Sequence, residues 1–144
     1  MGNISASDVG KLRKQTGSGM MDCKKALVEA NGDFDLAVDI LRKKGQKVAA
    51  KRADRQAMEG VVIAKTNDDN SKAILISLNC ETDFVAKNED FIAIAQDILD
   101  TAVSADLSSA ESIHDLKLSN GMTVAEKVLE QTGVIGEKIE ISAQ

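Results

Sequence analysis

The sequence predicts an α+β protein in which a three-helix bundle precedes a small antiparallel three-stranded sheet covered by helices. Three observations support this fold class. Apolar residues recur at helical spacing over the first 45 residues, alternate with the period of a strand over residues 61–80, and return to helical spacing over residues 91–103. A run of helices followed by a separate hairpin with its own covering helix is typical of the α+β class.

Two short helices are predicted at the start of the chain. The first begins at Ala6, behind the capping box Ser5-x-x-Asp8, and ends at Gly17. The second follows Gly19 and is stopped by Asn31-Gly32. Its spacing predicts that Met21 faces outward, toward neighbouring lysines, and that one apolar stripe contains Met20, Cys23, Ala26, Leu27 and Ala30.

The third helix is expected to begin behind Asp33 and to end at Gly45, because glycine commonly follows a helix C-terminus. Its predicted apolar face is Leu36, Ala37, Ile40 and Leu41. A basic helical linker follows over residues 47–55. We therefore predict a three-helix domain with its basic linker at residues 1–55 and an α+β core subdomain at residues 56–144.

The core subdomain is predicted to begin with a hairpin that turns at residues 67–70 and to continue with a long helix capped by Asn88. A brief helix is predicted behind the box Ser108-x-x-Glu111. The box Thr123-x-x-Glu126 opens a short helix that is expected to close at Gly133, before a third strand at residues 137–142. Its predicted inward residues are Val124, Ala125, Val128 and Leu129.

Charge is unevenly distributed and limits the classes of partner. Residues 1–55 carry 12 Lys and Arg against 7 Asp and Glu, whereas residues 56–144 carry 6 against 16. The basic residues are dispersed and not interleaved with aromatics, and the acidic half repels phosphate, so we predict no direct nucleic-acid binding. The sequence has neither a membrane-spanning apolar run nor a secretion signal, which predicts a cytoplasmic protein without a membrane partner. The oligomeric state is left open.

Catalytic and metal-binding constellations are not evident. The single histidine, His114, lies beside Asp115 in a Ser-rich stretch and is interpreted as a solvated loop residue. Cys23 and Cys80 are far apart on apolar faces, which favours buried free thiols. Residues 68–70 are better explained as a turn than as a metal site. We therefore predict no enzyme activity, catalytic residue, metal or cofactor.

Phe84 is one of only three aromatic residues and follows Asp83 at a predicted strand-to-helix junction. Two interpretations are open from this segment alone. The ring packs inward at the corner, as large apolar residues usually do, or it anchors another protein. Met21 is open in the same way, between an unremarkable surface methionine and an adaptable contact flanked by lysines.

Two long motifs in the same order resemble the bacterial elongation factor Ts family. The first runs from Lys11 to Gly45 and the second from Asn79 to Ala86. The likeness extends from about residue 4 to about residue 142. The motifs read Lys11-Leu12-Arg13-x-x-Thr16-Gly17-x-Gly19-Met20-Met21-Asp22-Cys23-Lys24-Lys25-Ala26-Leu27, Glu29-Ala30-Asn31-Gly32-Asp33, Leu41-Arg42-Lys43-Lys44-Gly45 and Asn79-Cys80-Glu81-Thr82-Asp83-Phe84-Val85-Ala86.

The resemblance implies a first domain similar to ubiquitin-associated domains and a core built from two related subdomains. Only the first of these matches here, so the chain is expected to be a fragment or short form that binds its partner but exchanges nucleotide poorly. The family is the guanine-nucleotide exchange factor of elongation factor Tu. The alternative is a binding module whose bundle recognises ubiquitin-like or other partners.

The resemblance also implies the residues that contact elongation factor Tu. Asp83 and Phe84, within Thr82–Val85, match the motif whose Phe enters the GTPase domain and disturbs its Mg²⁺ and phosphate site. Another part of that domain is contacted by positions matching Arg13, Met20 and Met21. Ile135 and Gly136, followed by Glu137, resemble a stretch that adds a further contact. On this basis the contact interpretation of Phe84 is preferred.

Overall fold

The structure is a computed structural model that describes residues 3–107 and 110–143. Its element order confirms the predicted α+β class. A 3₁₀ segment at Ala110–Asp115 lies between the last two helices. The helices are α1 (Ala6–Thr16), α2 (Met20–Glu29), α3 (Phe34–Lys51), α4 (Asp83–Ala86), α5 (Glu89–Ser104) and α6 (Val124–Ile135), and the strands are β1 (Glu59–Thr66), β2 (Ala73–Cys80) and β3 (Glu140–Ala143).

The described residues fall into two compact units. One lies within Met1–Ala53 and Leu129–Gly136, and the other within Asp54–Val128 and Glu137–Gln144. The predicted domains at residues 1–55 and 56–144 place residues 129–136 in the second domain, whereas the structure groups them with the first unit. The division into these two domains stays a prediction.

The first unit is built on three helices, and α1, α2 and α3 all pack against one another. Its buried core draws on each helix, with Phe34, Ile40 and Leu41 partly buried around it. The predicted apolar stripe of α2 is confirmed at Cys23 and beyond. The core residues are Val9, Leu12, Cys23, Ala26, Leu27, Ala30 and Ala37.

Local capping signals are confirmed. The Ser5 hydroxyl accepts from the Asp8 amide, and the Asp8 carboxylate accepts in return from the Ser5 amide. The Asp33 carboxylate accepts from the Leu36 amide. These bonds satisfy amides that have no partner inside their own helix, and so they fix where α1 and α3 begin.

Gly45 does not end the third helix, and that prediction is wrong. Helix α3 continues through the buried Gly45 to Lys51, so the predicted linker is partly the same helix. A Cβ at Gly45 would lie 3.1 Å from the Leu129 carbonyl oxygen, and one at Gly133 only 2.7 Å from the Gly45 Cα. Glycine is therefore required for the close backbone approach of α3 and α6, not for chain reversal.

Gly133 likewise does not close α6, which continues to Ile135. The helix ends at Gly136, which has φ +79° and donates its N–H to the Thr132 carbonyl. The capping box at its start is confirmed, because the Thr123 amide donates to Glu126 and the Glu126 amide to the Thr123 hydroxyl. The left-handed conformation at Gly136 explains why glycine occupies that position.

The second unit contains one antiparallel sheet in the order β1-β2-β3. Strands β1 and β2 form the predicted hairpin, and β3 pairs with β2 from Asn79↔Glu140 to Ile76↔Ala143. Helix α5, capped by Asn88, packs on β1 and β2 through buried residues that include Phe91 and Ile98. The alternation predicted over residues 61–80 gives β2 one buried face, since Ile76, Leu78 and Cys80 are buried.

Three side chains expected to face inward are exposed instead. Met20 is 48% exposed at the first position of α2, and Leu36 is 47% exposed in the first turn of α3. Ala125 is exposed in the first turn of α6. Each of the three lies in the first turn of its helix. The predicted box at Ser108 lies outside the described residues.

Candidate functional site

The turn at Thr82–Val85 is built where β2 ends. Thr82 has extended backbone, and its hydroxyl accepts from the Val85 amide at 3.5 Å, which starts α4 at Asp83. Helix α4 packs against β1, β2 and α5, with Val85 and Ala86 half-buried. The turn therefore has an inward side that packs against the sheet and an outward side that is exposed to solvent.

Phe84 lies on the outward side and is 85% exposed. Its inward-packing interpretation is therefore wrong for the isolated chain. Phe91, seven residues along the chain, is a buried residue of α5, so the two aromatics of this segment have opposite environments. Exposure of a Phe ring to water is unfavourable relative to burial. Binding of the ring in a pocket of another protein would provide that hydrophobic free energy.

Asp83 is exposed beside Phe84. Its carboxylate is 3.3 Å from the Lys87 ammonium group, one turn further along the chain. Both side chains are solvated, so this ion pair contributes little to stability and is easily exchanged for another partner. Asp83 and Phe84 thus present a negative charge and an apolar ring from the same short helix.

Glu137 holds the base of the turn, and sequence reasoning missed this role. Its Oε1 accepts from the amides of Glu81 and Thr82 at 3.1 and 3.0 Å, and its Oε2 accepts from the Thr82 hydroxyl at 2.7 Å. In return, the Glu81 Oε1 accepts from the Lys138 amide at 2.7 Å. We call this reciprocal arrangement of Glu81, Thr82, Glu137 and Lys138 the carboxylate clasp.

Cys80 lies buried beneath the turn as a free thiol, as predicted. Its Sγ donates to the Thr82 carbonyl oxygen at 3.1 Å. Burial, followed by the negative charge of Glu137, raises the pKa of the Cys80 thiol above its ordinary value. The thiol is therefore protonated and unreactive at neutral pH, which fits a packing and hydrogen-bonding role.

The other predicted contact residues belong to the first unit. Arg13 is exposed on α1, and Met21 is 63% exposed on α2, beside the half-exposed Met20. Ile135 is half-buried at the end of α6, and Gly136 caps that helix. The structure thus brings Thr82–Val85 together as one turn, whereas the remaining predicted residues lie on other elements.

A shallow cleft of about 350 Å³ lies between Asn79, His114, Val128 and residues 139–142. His114 is exposed, as expected of a solvated residue, although it lies in a 3₁₀ segment. Residues 3–107 and 110–143 contain no group of three or more His, Cys, Asp or Glu side chains placed to hold a metal ion. In the same ranges, no helix combines the length and apolar character needed to cross a bilayer.

Comparison with known proteins links the clasp and the turn to one family. Residues 81–143 match the family model described as elongation factor TS. Elongation factor Ts of Christiangramia forsetii is 62% identical over 144 residues, covering 99% of this chain and 51% of that protein. Those of Flavobacterium johnsoniae and Rhodopirellula baltica are 58% and 55% identical, covering 98% and 99% of this chain and 43% of each relative.

The chain spans about half the length of these curated relatives. The matched region covers 98–99% of this chain and so includes both the helical bundle and the sheet. By this likeness, the chain belongs to the elongation factor Ts family.

Proposed function

We propose that this chain is a guanine-nucleotide exchange factor for elongation factor Tu in translation elongation. The observation that carries the proposal is the 85% exposure of Phe84 on a short helix whose base is held by hydrogen bonds, in a chain 62% identical to an elongation factor Ts. In this proposal Asp83 and Phe84 insert near the Mg²⁺ and phosphate site of the GTPase and promote GDP release.

The geometry supports a wedge. A solvated aromatic ring gains free energy on entering a pocket, and a ring on a fixed backbone loses less conformational entropy than one on a mobile loop. The neighbouring Asp83 carboxylate brings negative charge toward a site that holds Mg²⁺ and phosphate. The charge repels the phosphate and so favours the partner without its nucleotide, while the ring adds binding free energy, and neither contribution requires a covalent step.

The thermodynamics of exchange follow from differential binding. A factor shifts the nucleotide equilibrium only by binding the nucleotide-free GTPase more tightly than the GDP-bound form. Linkage makes the effect mutual, so each tenfold weakening of GDP requires about 1.4 kcal/mol of coupling and weakens the factor tenfold when GDP is bound. Phe84 and Asp83 are the groups to which we assign this coupling.

The first unit is proposed to add affinity. Arg13, Met20 and Met21 would contact a second part of the same GTPase domain, with Ile135 and Gly136 adding a further contact. We propose that the chain divides into domains at residues 1–55 and 56–144. We also propose a cytoplasmic location, because translation takes place in the cytoplasm.

Phe84→Ala tests the proposal. We expect the apparent second-order rate constant for release of a fluorescent GDP analogue from elongation factor Tu to fall about 30-fold. This corresponds to the ~2 kcal/mol or more that truncation of an interface anchor costs. Thermal stability should change little, because exposed side chains contribute within about 0.5 kcal/mol, whereas a buried Phe would cost ~3–5 kcal/mol.

Met58→Ala is the matched control, since Met58 is an apolar side chain of the second unit that is 79% exposed. It should leave both GDP release and melting temperature unchanged. If the wild-type chain binds elongation factor Tu without accelerating GDP release at any concentration, the chain is a binding module instead. A large loss of melting temperature in Phe84→Ala with normal GDP release would reject the wedge.

A further inference from the structure

We propose that Glu137 is a positioning residue for nucleotide exchange, which acts by holding the Thr82–Val85 turn so that Phe84 is presented in one orientation. This inference rests on the proposed function, and it assigns to Glu137 a role within this chain rather than a contact with the partner.

Helix α4 is not stable by itself. The helix has four residues, Asp83–Ala86, which is too short to be stable through its own hydrogen bonds. Its orientation must therefore come from anchors at its ends and from the packing of Val85 and Ala86. The Thr82 cap is one anchor, but its bond to the Val85 amide is long, at 3.5 Å.

The stronger anchor of the turn is the Glu137 carboxylate. Three donors converge on the single Glu137 carboxylate, two backbone amides and the Thr82 hydroxyl, at 2.7–3.1 Å. Hydrogen bonds to an ionised acceptor are about twice as strong as neutral ones. The carboxylate thus fixes the backbone of Glu81 and Thr82 immediately before the turn, and with it the direction in which the Phe84 ring leaves α4.

Glu137 is itself held in place by the chain that follows it. The Lys138 amide donates to Glu81 at 2.7 Å, and β3 begins two residues later and pairs with β2. The backbone on both sides of the clasp is therefore held by the sheet. Because Glu137 is held in this way, the turn that it binds has little conformational freedom. The Phe84 ring is then exposed in one orientation, and little conformational entropy is lost when it binds a partner.

A double-mutant cycle with Phe84 tests this role. In release of a fluorescent GDP analogue from elongation factor Tu, Glu137→Ala should lower the apparent rate constant about tenfold, since the turn loses all three bonds to a charged acceptor. In the Phe84→Ala background, the same change should have no more than about a twofold effect, because the group that Glu137 positions is already absent.

Glu137→Gln provides a conservative variant that keeps the length of the side chain. Its Oε1 still accepts from the Glu81 and Thr82 amides, while the acceptor for the Thr82 hydroxyl becomes a donor. We expect a loss of about threefold, intermediate between wild type and Glu137→Ala. Asp115→Ala, which removes an exposed carboxylate from the same unit, should have no effect.

Amide hydrogen exchange on the free chain provides a readout that does not depend on the partner. The Glu81 and Thr82 amides should exchange faster in Glu137→Ala, whereas the amides of β2 paired with β1 should keep their protection. Unchanged exchange at Glu81 and Thr82 would overturn the inference. So would a Glu137→Ala effect of equal size with and without Phe84, because that additivity would mean Glu137 acts independently of the ring.

The outcomes separate the two proposals. If Phe84→Ala slows GDP release and Glu137→Ala adds its full effect to it, the proposed function stands and the positioning role is rejected. If Phe84→Ala leaves GDP release unchanged, the proposed wedge is itself rejected, whatever the amide exchange shows. If Glu137→Ala does not fold, the double-mutant cycle is measured with Glu137→Gln. An effect of Glu137→Gln that is equal with and without Phe84 then rejects the positioning role.

Discussion

At the scale of single residues, Met21 is an exposed side chain whose contribution to binding can be isolated. Met21→Glu should weaken the complex with elongation factor Tu about tenfold, because a charge would replace an apolar contact. Helicity should not fall, since the new carboxylate lies in the first turn of α2 and three and four residues before Lys24 and Lys25.

Titration calorimetry against elongation factor Tu, with circular dichroism on the same samples, checks this prediction. Gln46→Glu places the same charge on the exposed surface of α3 and serves as the control for net charge. Equal affinity of Met21→Glu and wild type would make Met21 an ordinary surface methionine.

The site was predictable from sequence only in part. The exposure of Met21 followed from helical spacing, and the position of Phe84 at a strand-to-helix junction followed from the change of period. The role of Glu137 did not, because its partners lie 55 and 56 residues away and no local pattern reports a contact at that distance. The sequence showed Glu81 before the turn and Glu137 at the start of a predicted strand, but neither signal specifies that the two segments meet or through which atoms.

At the scale of elements, the crossing of α3 and α6 depends on two glycines. Gly133→Ala should destabilise the chain by ~1–3 kcal/mol, because its Cβ would lie 2.7 Å from the Gly45 Cα and the helices would have to separate. Gly10→Ala is the matched control. Gly10 lies within α1, and a Cβ added there would meet nothing within 4 Å, so alanine at this position should stabilise by ~0.5–1 kcal/mol.

Urea unfolding followed by far-ultraviolet circular dichroism measures both variants. Opposite shifts of the unfolding midpoint are expected, downward for Gly133→Ala and upward for Gly10→Ala. A Gly133→Ala midpoint at or above that of wild type would show that the helices separate at no cost.

The same glycines show where sequence reasoning about elements reaches its limit. Ser5, Asp33 and Thr123 predicted helix starts correctly because a cap is decided by residues within three positions of it. Gly45 and Gly133 were predicted to end helices because glycine commonly follows a helix C-terminus. That local preference was outweighed by packing, since each glycine lies inside a helix where another helix, distant in sequence, approaches its backbone closely.

At the scale of the whole molecule, the hydrophobic cluster at the centre of the first unit consists, in the part of the chain that the structure describes, of buried residues between positions 9 and 37. A chain of residues 1–55 should therefore form the three-helix bundle on its own. It should be less stable than in the longer chain, because residues 129–136 belong to the same unit and are missing, and because so small a domain buries little surface.

Circular dichroism and thermal melting of residues 1–55, compared with the 144-residue chain, check this expectation. Helical signal with a cooperative transition at reduced temperature is the expected result. Absence of helical signal at low temperature would mean that the bundle requires residues 129–136 to fold.

During synthesis of the chain, the carboxylate clasp cannot form until long after the turn that it holds has been made. Glu81 leaves the ribosome 56 residues ahead of Glu137, which at 5–20 residues per second is roughly 3–11 s. Throughout that interval the nascent turn lacks the side chain that orders it, even after the hairpin has formed. The turn that carries Phe84, which is proposed to act on the translation machinery, is therefore ordered only several seconds after its own residues have been synthesised on that machinery.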